Sequence, residues 1–308
     1  LLQVRAHFNH RDETSELRTF FPKGNVAKVQ AIENQLPEIS VEACLAVIDI
    51  CEATLVERFK VLKPLGKVYI DERLKNYLVP FSQRSASKAL RTIVRGSKVD
   101  MPTGGDTIRF FIWWKEGVIN GKPTGTVDID LSAVMYDNDW NYIEHISYTN
   151  LKSSKYKVAH SGDIVSAPKG ACEFIDLDIP SIIKFGGRYV VMNIYSFSNQ
   201  PFCDLPECYG GWMMRKRPQS GEIFDARTVQ DKVDVTADTR ICIPVIMDLF
   251  TRKVVWSDLG LKNNPRWHNN VEGNLGGMTL MGKAMTSLNK PNLYDLFMLH
   301  AQARGEMV

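Results

Sequence analysis

Between Pro37 and Leu62 the apolar residues return at three- and four-residue steps: Val41, Cys44, Leu45, Ile48, Cys51, Leu55, Val56 and Phe59. That spacing lines one stripe of a helix and predicts an amphipathic one. Ser40 is placed to cap its start, and Pro64 with Gly66 ends it. Lys67-Val68-Tyr69-Ile70 then predicts a short strand ahead of a polar Asp-Glu-Arg turn, so the first part of the chain reads as α/β. From about Thr92 the texture changes to aromatic and β-branched runs separated by Gly, Pro, Asn and Asp. Ile108 to Trp114 predicts a strand buried on at least one face, bracketed by Gly104-Gly105 and by the stretch from Gly117 to Gly125. Val127 to Tyr136 and Tyr142 to Tyr148 predict a hairpin reversing at Asp137-Asn138-Asp139. Two further pairings are expected: Phe174 to Ile179 with Arg188 to Phe197 around Phe185-Gly186-Gly187, and Arg240 to Phe250 with Lys253 to Trp256 around Thr251-Arg252.

Short strands at this interval predict a mainly β protein, a two-sheet antiparallel sandwich over 91–262. An N-terminal α/β segment over 1–90 precedes it. A helical C-terminal tail over 263–308 follows, in which Lys262 to Pro265 breaks the strand pattern, Gly273 to Gly277 reads as a loop and Leu293 to Ala303 as a closing helix. There is no internal repeat and no low-complexity tract.

Composition changes this picture little. With 308 residues, 44% hydrophobic and 24% charged, the chain sits in the globular range, away from disordered or fibrous classes. A net charge of +3 from 38 basic and 35 acidic residues selects no partner class. The apolar stretch from Val41 to Phe59 is interrupted by Glu42, Asp49, Glu52 and Glu57, so no membrane span is expected. Six cysteines are too few for a disulfide-stapled scaffold; reduced thiols and a cytoplasmic location are expected. Cys203 and Cys208 are too far apart for a Cys-x-x-Cys motif, and no second pair completes a zinc set. The ends, Leu1 and Met307-Val308, read as parts of a longer polypeptide.

Asp128-Ile129-Asp130-Leu131-Ser132-Ala133, then Ile146 to Ser153, then His160-Ser161-Gly162-Asp163 follow one another in an order and spacing that resembles the TerD family of tellurium-resistance and stress-response proteins. The resemblance runs from Val94-Arg95-Gly96 through Tyr189 to Tyr195 and on to Ile241 to Trp256, roughly half of the chain. It implies a calcium-binding β-sandwich without a catalytic centre, hence a non-enzymatic stress-response binding or scaffold protein with protein partners. The residues give their own reason to consider calcium. Asp128 and Asp130 alternate along a strand, so both carboxylates project to one side, and Asp163 lies in a glycine-containing loop that can fold towards them. Calcium takes six to eight oxygens, which carboxylates and loop carbonyls supply.

The chain departs from the family pattern where that pattern is acidic. Lys115 follows Trp114 in place of an Asp, the loop from Ile164 to Ala171 carries Lys169 instead of an acidic run, with Glu173 just beyond it, and Ser196 replaces an Asp after Ile194-Tyr195. Fewer carboxylates and two added cations reduce the expectation to one degenerate calcium site, formed by Asp128, Asp130 and Asp163 with Glu173 nearby.

The competing chemistry is electrostatic. Arg84, Lys88, Arg91, Arg95 and Lys98 crowd into fifteen residues with only Asp100 to offset them; on a helix over Ser85 to Val94 they would share one face suited to nucleic acid or another polyanion. Arg215-Lys216-Arg217 forms a second basic cluster. Asp137 to Asn141 is no EF-hand loop, because Tyr142 and Tyr148 stand where Gly and Glu are required. Ser161 lacks the flanking glycines of a nucleophile elbow, and His145 and His160 read as structural. No enzymatic activity is expected.

Overall fold

The strands pair into two antiparallel sheets that face each other across one apolar interior. The computed structural model describes residues 1–11, 16–22, 28–81, 93–215, 229–261 and 270–307, with the backbone at 88–89. Numbering the strands of the two large sheets in chain order, β1 is Lys88–Ala89, β2 Lys98–Asp100, β3 Thr107–Lys115, β4 Ile129–Tyr136, β5 Tyr142–Ile146, β6 Lys152–Ser153, β7 Val158–His160, β8 Ala171–Asp178, β9 Tyr189–Ser196, β10 Glu207–Arg215, β11 Val229–Asp234, β12 Ile241–Asp248 and β13 Lys253–Gly260. One sheet has six strands in the order β5-β4-β9-β12-β13-β2, the other seven in the order β6-β7-β8-β3-β10-β11-β1. The fold is mainly β, as the sequence predicts.

Ile108, Phe110, Ile112 and Trp114 alternate along β3 and meet Ile129, Leu131 and Ala133 of β4 in the shared interior. Each of these seven is fully buried. At about 25 cal/mol per Å² of apolar surface removed from water, such layers carry most of the favourable free energy of the sandwich. The hairpins expected at Asp137 to Asp139 and at Thr251-Arg252 form with the predicted partners, β4 with β5 and β12 with β13. In the first, Asp137 Oδ1 accepts from the backbone N–H groups of Asp139 and Asn141, both at 2.8 Å, and Trp140 takes a left-handed φ of 64°. These residues close a turn, as their failure to match an EF-hand implies.

The third expected hairpin is corrected. β8 and β9 lie in different sheets. Asp178 caps a short helix, Ile179–Lys184, by accepting from Ser181 N–H at 2.9 Å, and Pro180 stands in its first turn. A helical turn between the strands moves the chain across the interior instead of reversing it beside itself.

The helix over Val41–Lys60 also forms as predicted: Ser40 caps it, and Cys44, Ile48, Cys51 and Leu55 are its buried stripe. Calling it α2, it packs with α1 (Leu2–Phe8) and with the closing helix Leu293–Arg304, so that Leu2, Leu55 and Leu299 share a small core. Arg5 bonds Glu52 at 2.6 Å and lies 3.4 Å from Asp295, tying the three helices together. Gly66–Val68 pairs in parallel with Gly305–Met307. The two terminal segments thus form one lobe. Among the described residues no helix is long and apolar enough to cross a membrane.

The stretch Gly273 to Gly277 is not a loop but part of a helix, Val271–Thr286, capped by Asn270. Here tertiary packing overrides the low helix propensity of glycine. Met278, Met281 and Met285 settle on Tyr136, Tyr189, Val191 and Ile246, which face outward from the six-stranded sheet. Gly282 is the closest approach: a Cβ there would lie 2.1 Å from the Trp140 ring. Gly282→Ala therefore destabilises the protein, by roughly 1–3 kcal/mol from overpacking, although alanine is the better helix former by about 1 kcal/mol. Urea unfolding of the variant is the check, and a higher midpoint would contradict the contact.

Candidate metal centre

β4 begins where the chain crosses the rim of the sandwich. Asp128 is the residue before Ile129, and its backbone is held at both ends: its N–H donates to Ser198 Oγ at 3.1 Å, and its carbonyl accepts from Phe197 N–H at 3.0 Å. Ser198 is fixed in turn by Gln200 at 2.6 Å, which reaches the Thr124 carbonyl at 2.6 Å. Asp130 follows two residues on, so its side chain shares the face of Asp128, and in register it stands beside Tyr195 of β9. Asp163 enters from the loop between β7 and β8, which bends at Gly162 with φ 123°.

The three carboxylates converge: each offers an oxygen within 4.8 Å of the others. Asp163 is exposed, Asp128 half-buried and Asp130 only 2% exposed, so the cluster runs from solvent inward. Among the described residues none of the three has a Lys or Arg in an ion pair, and Oδ1 of Asp128 and Oδ2 of Asp130 are buried without a hydrogen-bond partner. Burial, followed by the charges of Asp163 and Glu173, pushes the Asp128 carboxyl up to about 6. Burial, followed by Asp128, Glu173 and Asp163, pushes Asp130 up to about 9. The same cause, with Asp130 the next contributor, raises the Tyr195 phenol. Like charges brought together out of water hold protons when no cation neutralises them.

Glu173 is near but differently occupied. It is fully buried; Oε2 accepts from Leu131 N–H at 3.0 Å and Oε1 from Ile164 N–H at 2.9 Å. His160 Nε2 lies 3.2 Å from the Leu131 carbonyl and 3.4 Å from Glu173 Oε2, while Nδ1 accepts from Gly162 N–H at 3.0 Å. Glu173 and His160 therefore brace the edge of β4 and the root of the Asp163 loop. They position the cluster, and Glu173 is not among the three carboxylates whose oxygens converge. The Ser198 strap is a further supporting element that the sequence pattern does not announce beyond the polar residues Ser198, Asn199 and Gln200.

Of the basic stretch, the described side chains of Arg95 and Lys98 are largely withdrawn from solvent. Arg84 and Arg91 lie outside the described residues. Lys88 and Lys98 belong to strands rather than to one helix. Arg95 is 5% exposed; burial lowers its pKa against the opposing charge of Asp258, and its guanidinium lies 5.6 Å from the Phe21 ring. Burial likewise lowers the Lys98 ammonium. Of the second cluster, Arg215 is 6% exposed, and Lys216 and Arg217 lie outside the described residues.

Fold and site together define a β-sandwich with an all-carboxylate cluster at the mouth of one strand. No protein-family model and no curated protein sequence matches this chain. Among solved structures it is similar to the crystal structure of a homologue of the telluride resistance protein TerD from Streptomyces coelicolor A3(2), with 10% identity and a TM-score of 0.41 over 53% of this chain and 94% of that one. It is also similar to the crystal structure of a protein of unknown function, SAV2460, with 14% identity and a TM-score of 0.41 over 56% of this chain and 98% of that one.

Proposed function

We propose that this protein is a non-enzymatic, divalent-cation-binding scaffold whose single site is formed by Asp128, Asp130 and Asp163, with calcium as the cation. The observation that carries this reading is the Asp130 carboxylate, 98% removed from solvent, with one oxygen unpartnered and two further carboxylates within 4.8 Å. A buried carboxylate without a partner costs several kcal/mol, which a bound cation recovers. Donors that are all oxygen favour a hard ion over zinc or copper. Calcium, at about 2.4 Å from each oxygen, bridges oxygens up to about 4.8 Å apart, whereas magnesium at about 2.1 Å demands a tighter octahedron.

The TerD resemblance of the sequence supports extending the reading to a stress-response binding protein with protein partners. The link to telluride resistance named for the Streptomyces protein belongs to the same proposal. Six unpaired thiols support a reducing, cytoplasmic setting.

Calorimetric titration of the EDTA-treated protein with calcium chloride at pH 7.5 tests the reading. One saturable site is expected. Asp163→Asn, at the exposed end of the cluster, weakens it by about tenfold or more through loss of one charged ligand, with unchanged stability in EDTA. Absence of binding up to several millimolar calcium, or an unaltered affinity in that variant, sinks the proposal.

A further inference from the structure

We propose that the cleft between α1, the strand Leu17–Phe20 and the turn leaving the helix Val271–Thr286 is a binding site for a phosphate group carried by a small molecule. The cleft holds about 200 Å³ and gathers residues from both ends of the chain: His7, His10 and Arg11 at the end of α1, Arg18 on the strand, and Ser287 and Lys290 in the turn. No acidic side chain is among the described residues that line it.

Arg11 carries the argument. It is 5% exposed; Nη2 donates to the Pro37 carbonyl, and Nη1 is buried with no hydrogen-bond partner. A guanidinium keeps its charge at any physiological pH, so the missing partner has to be an acceptor, and the gain is greatest if that acceptor is an anion. The neighbouring cations are also without carboxylates among the described residues. Arg18 lies 5.1 Å from the Phe20 ring and Lys290 5.9 Å from the Phe21 ring, contacts that place the charges without neutralising them. The electrostatics agree: burial, followed by Arg11, Arg18 and Lys290, lowers the His7 pKa, and burial lowers that of Lys290.

Two arginines and a lysine exceed what one carboxylate neutralises, whereas a phosphate monoester brings up to two charges and three acceptor oxygens. Nucleic acid fits less well, because a polyanion calls for cations spread along a groove rather than gathered around one cleft.

Inorganic phosphate and acetate, titrated calorimetrically into the full chain at constant ionic strength, test the proposal. Phosphate is expected to bind one to one with Kd below about 1 mM, at least about tenfold tighter than acetate. Arg18→Gln and Lys290→Gln, both at half-buried positions, should each weaken phosphate by about tenfold while circular dichroism shows them folded. Lys122→Gln, at an exposed lysine elsewhere, should leave the affinity unchanged. No saturable phosphate signal, acetate binding as tightly as phosphate, or wild-type affinity in both cleft variants overturns the assignment. Because the cleft shares no residue with the carboxylate cluster, Asp163→Asn is expected to leave phosphate binding intact.

Discussion

Asp130→Asn is expected to stabilise the calcium-free protein at pH 7.5 by on the order of 3 kcal/mol, and to abolish stabilisation by calcium. The sign follows from proton uptake. In the unfolded chain the carboxyl titrates near its ordinary 3.8; in the folded protein burial and then Asp128, Glu173 and Asp163 raise it to about 9. The native state therefore binds more protons through this window, and stability must fall as pH rises from about 3.8 towards about 9. Asp128 adds a contribution of the same sign over the narrower window between 3.8 and about 6. An asparagine has the shape of the protonated acid but takes up no proton on folding, so it removes the larger slope. Calcium acts in the opposite sense, because it binds the ionised cluster and stabilises the native state by mass action. Urea unfolding from pH 5 to pH 9 in EDTA, repeated with calcium, decides the matter. Equal pH slopes in wild type and variant would mean that Asp130 is ionised and solvated.

The parts of this molecule that were legible in the sequence are those fixed by local pattern. Ile108 to Trp114 reads as a strand because aromatic and β-branched residues run together between glycine-containing turns, and Ser40 with Cys44, Ile48, Cys51 and Leu55 reads as a capped helix because its apolar residues return at three- and four-residue steps. The two-residue step from Asp128 to Asp130 likewise put both carboxylates on one face, and Gly162 let Asp163 approach. What local pattern does not encode is which sheet a strand joins: β8 and β9 look like a hairpin until Asp178 and Pro180 make a helical turn between them. Nor does it encode competition with tertiary contacts, which turn Gly273 to Gly277 into helix against the sheet. Glu173 was read as a possible ligand because it is acidic and close in sequence to the loop. Its Oε2 accepts from Leu131 N–H, where β4 has no neighbour on the β5 side until Ala133 pairs with Ile146, and its Oε1 accepts from Ile164 N–H in the loop. The cation cleft was invisible for a simpler reason. Arg11 and Lys290 stand at opposite ends of the chain, and charge runs detect only neighbours.

Arg109→Ala is expected to cost about 3–5 kcal/mol, the largest loss among single substitutions outside the apolar interior. Arg109 on β3 and Asp176 on β8 are register partners, and Nε and Nη2 meet the two carboxylate oxygens at 2.6 Å each. The residues are 2% and 5% exposed, and the guanidinium lies 4.0 Å from the Phe174 ring. A planar fork on a carboxylate repays the loss of water only while both partners are present. Truncating the arginine leaves the Asp176 carboxylate buried without its guanidinium, whereas the double variant Arg109→Met with Asp176→Leu removes both members of the pair and fills the space. The double variant should therefore be more stable than Arg109→Ala by about 2 kcal/mol or more, because a buried pair is costly to break and cheap to replace. Equilibrium urea unfolding of the single and double variants measures the difference. A loss below about 1 kcal/mol in Arg109→Ala is the range of exposed ion pairs, and would mean that water reaches this strand pair.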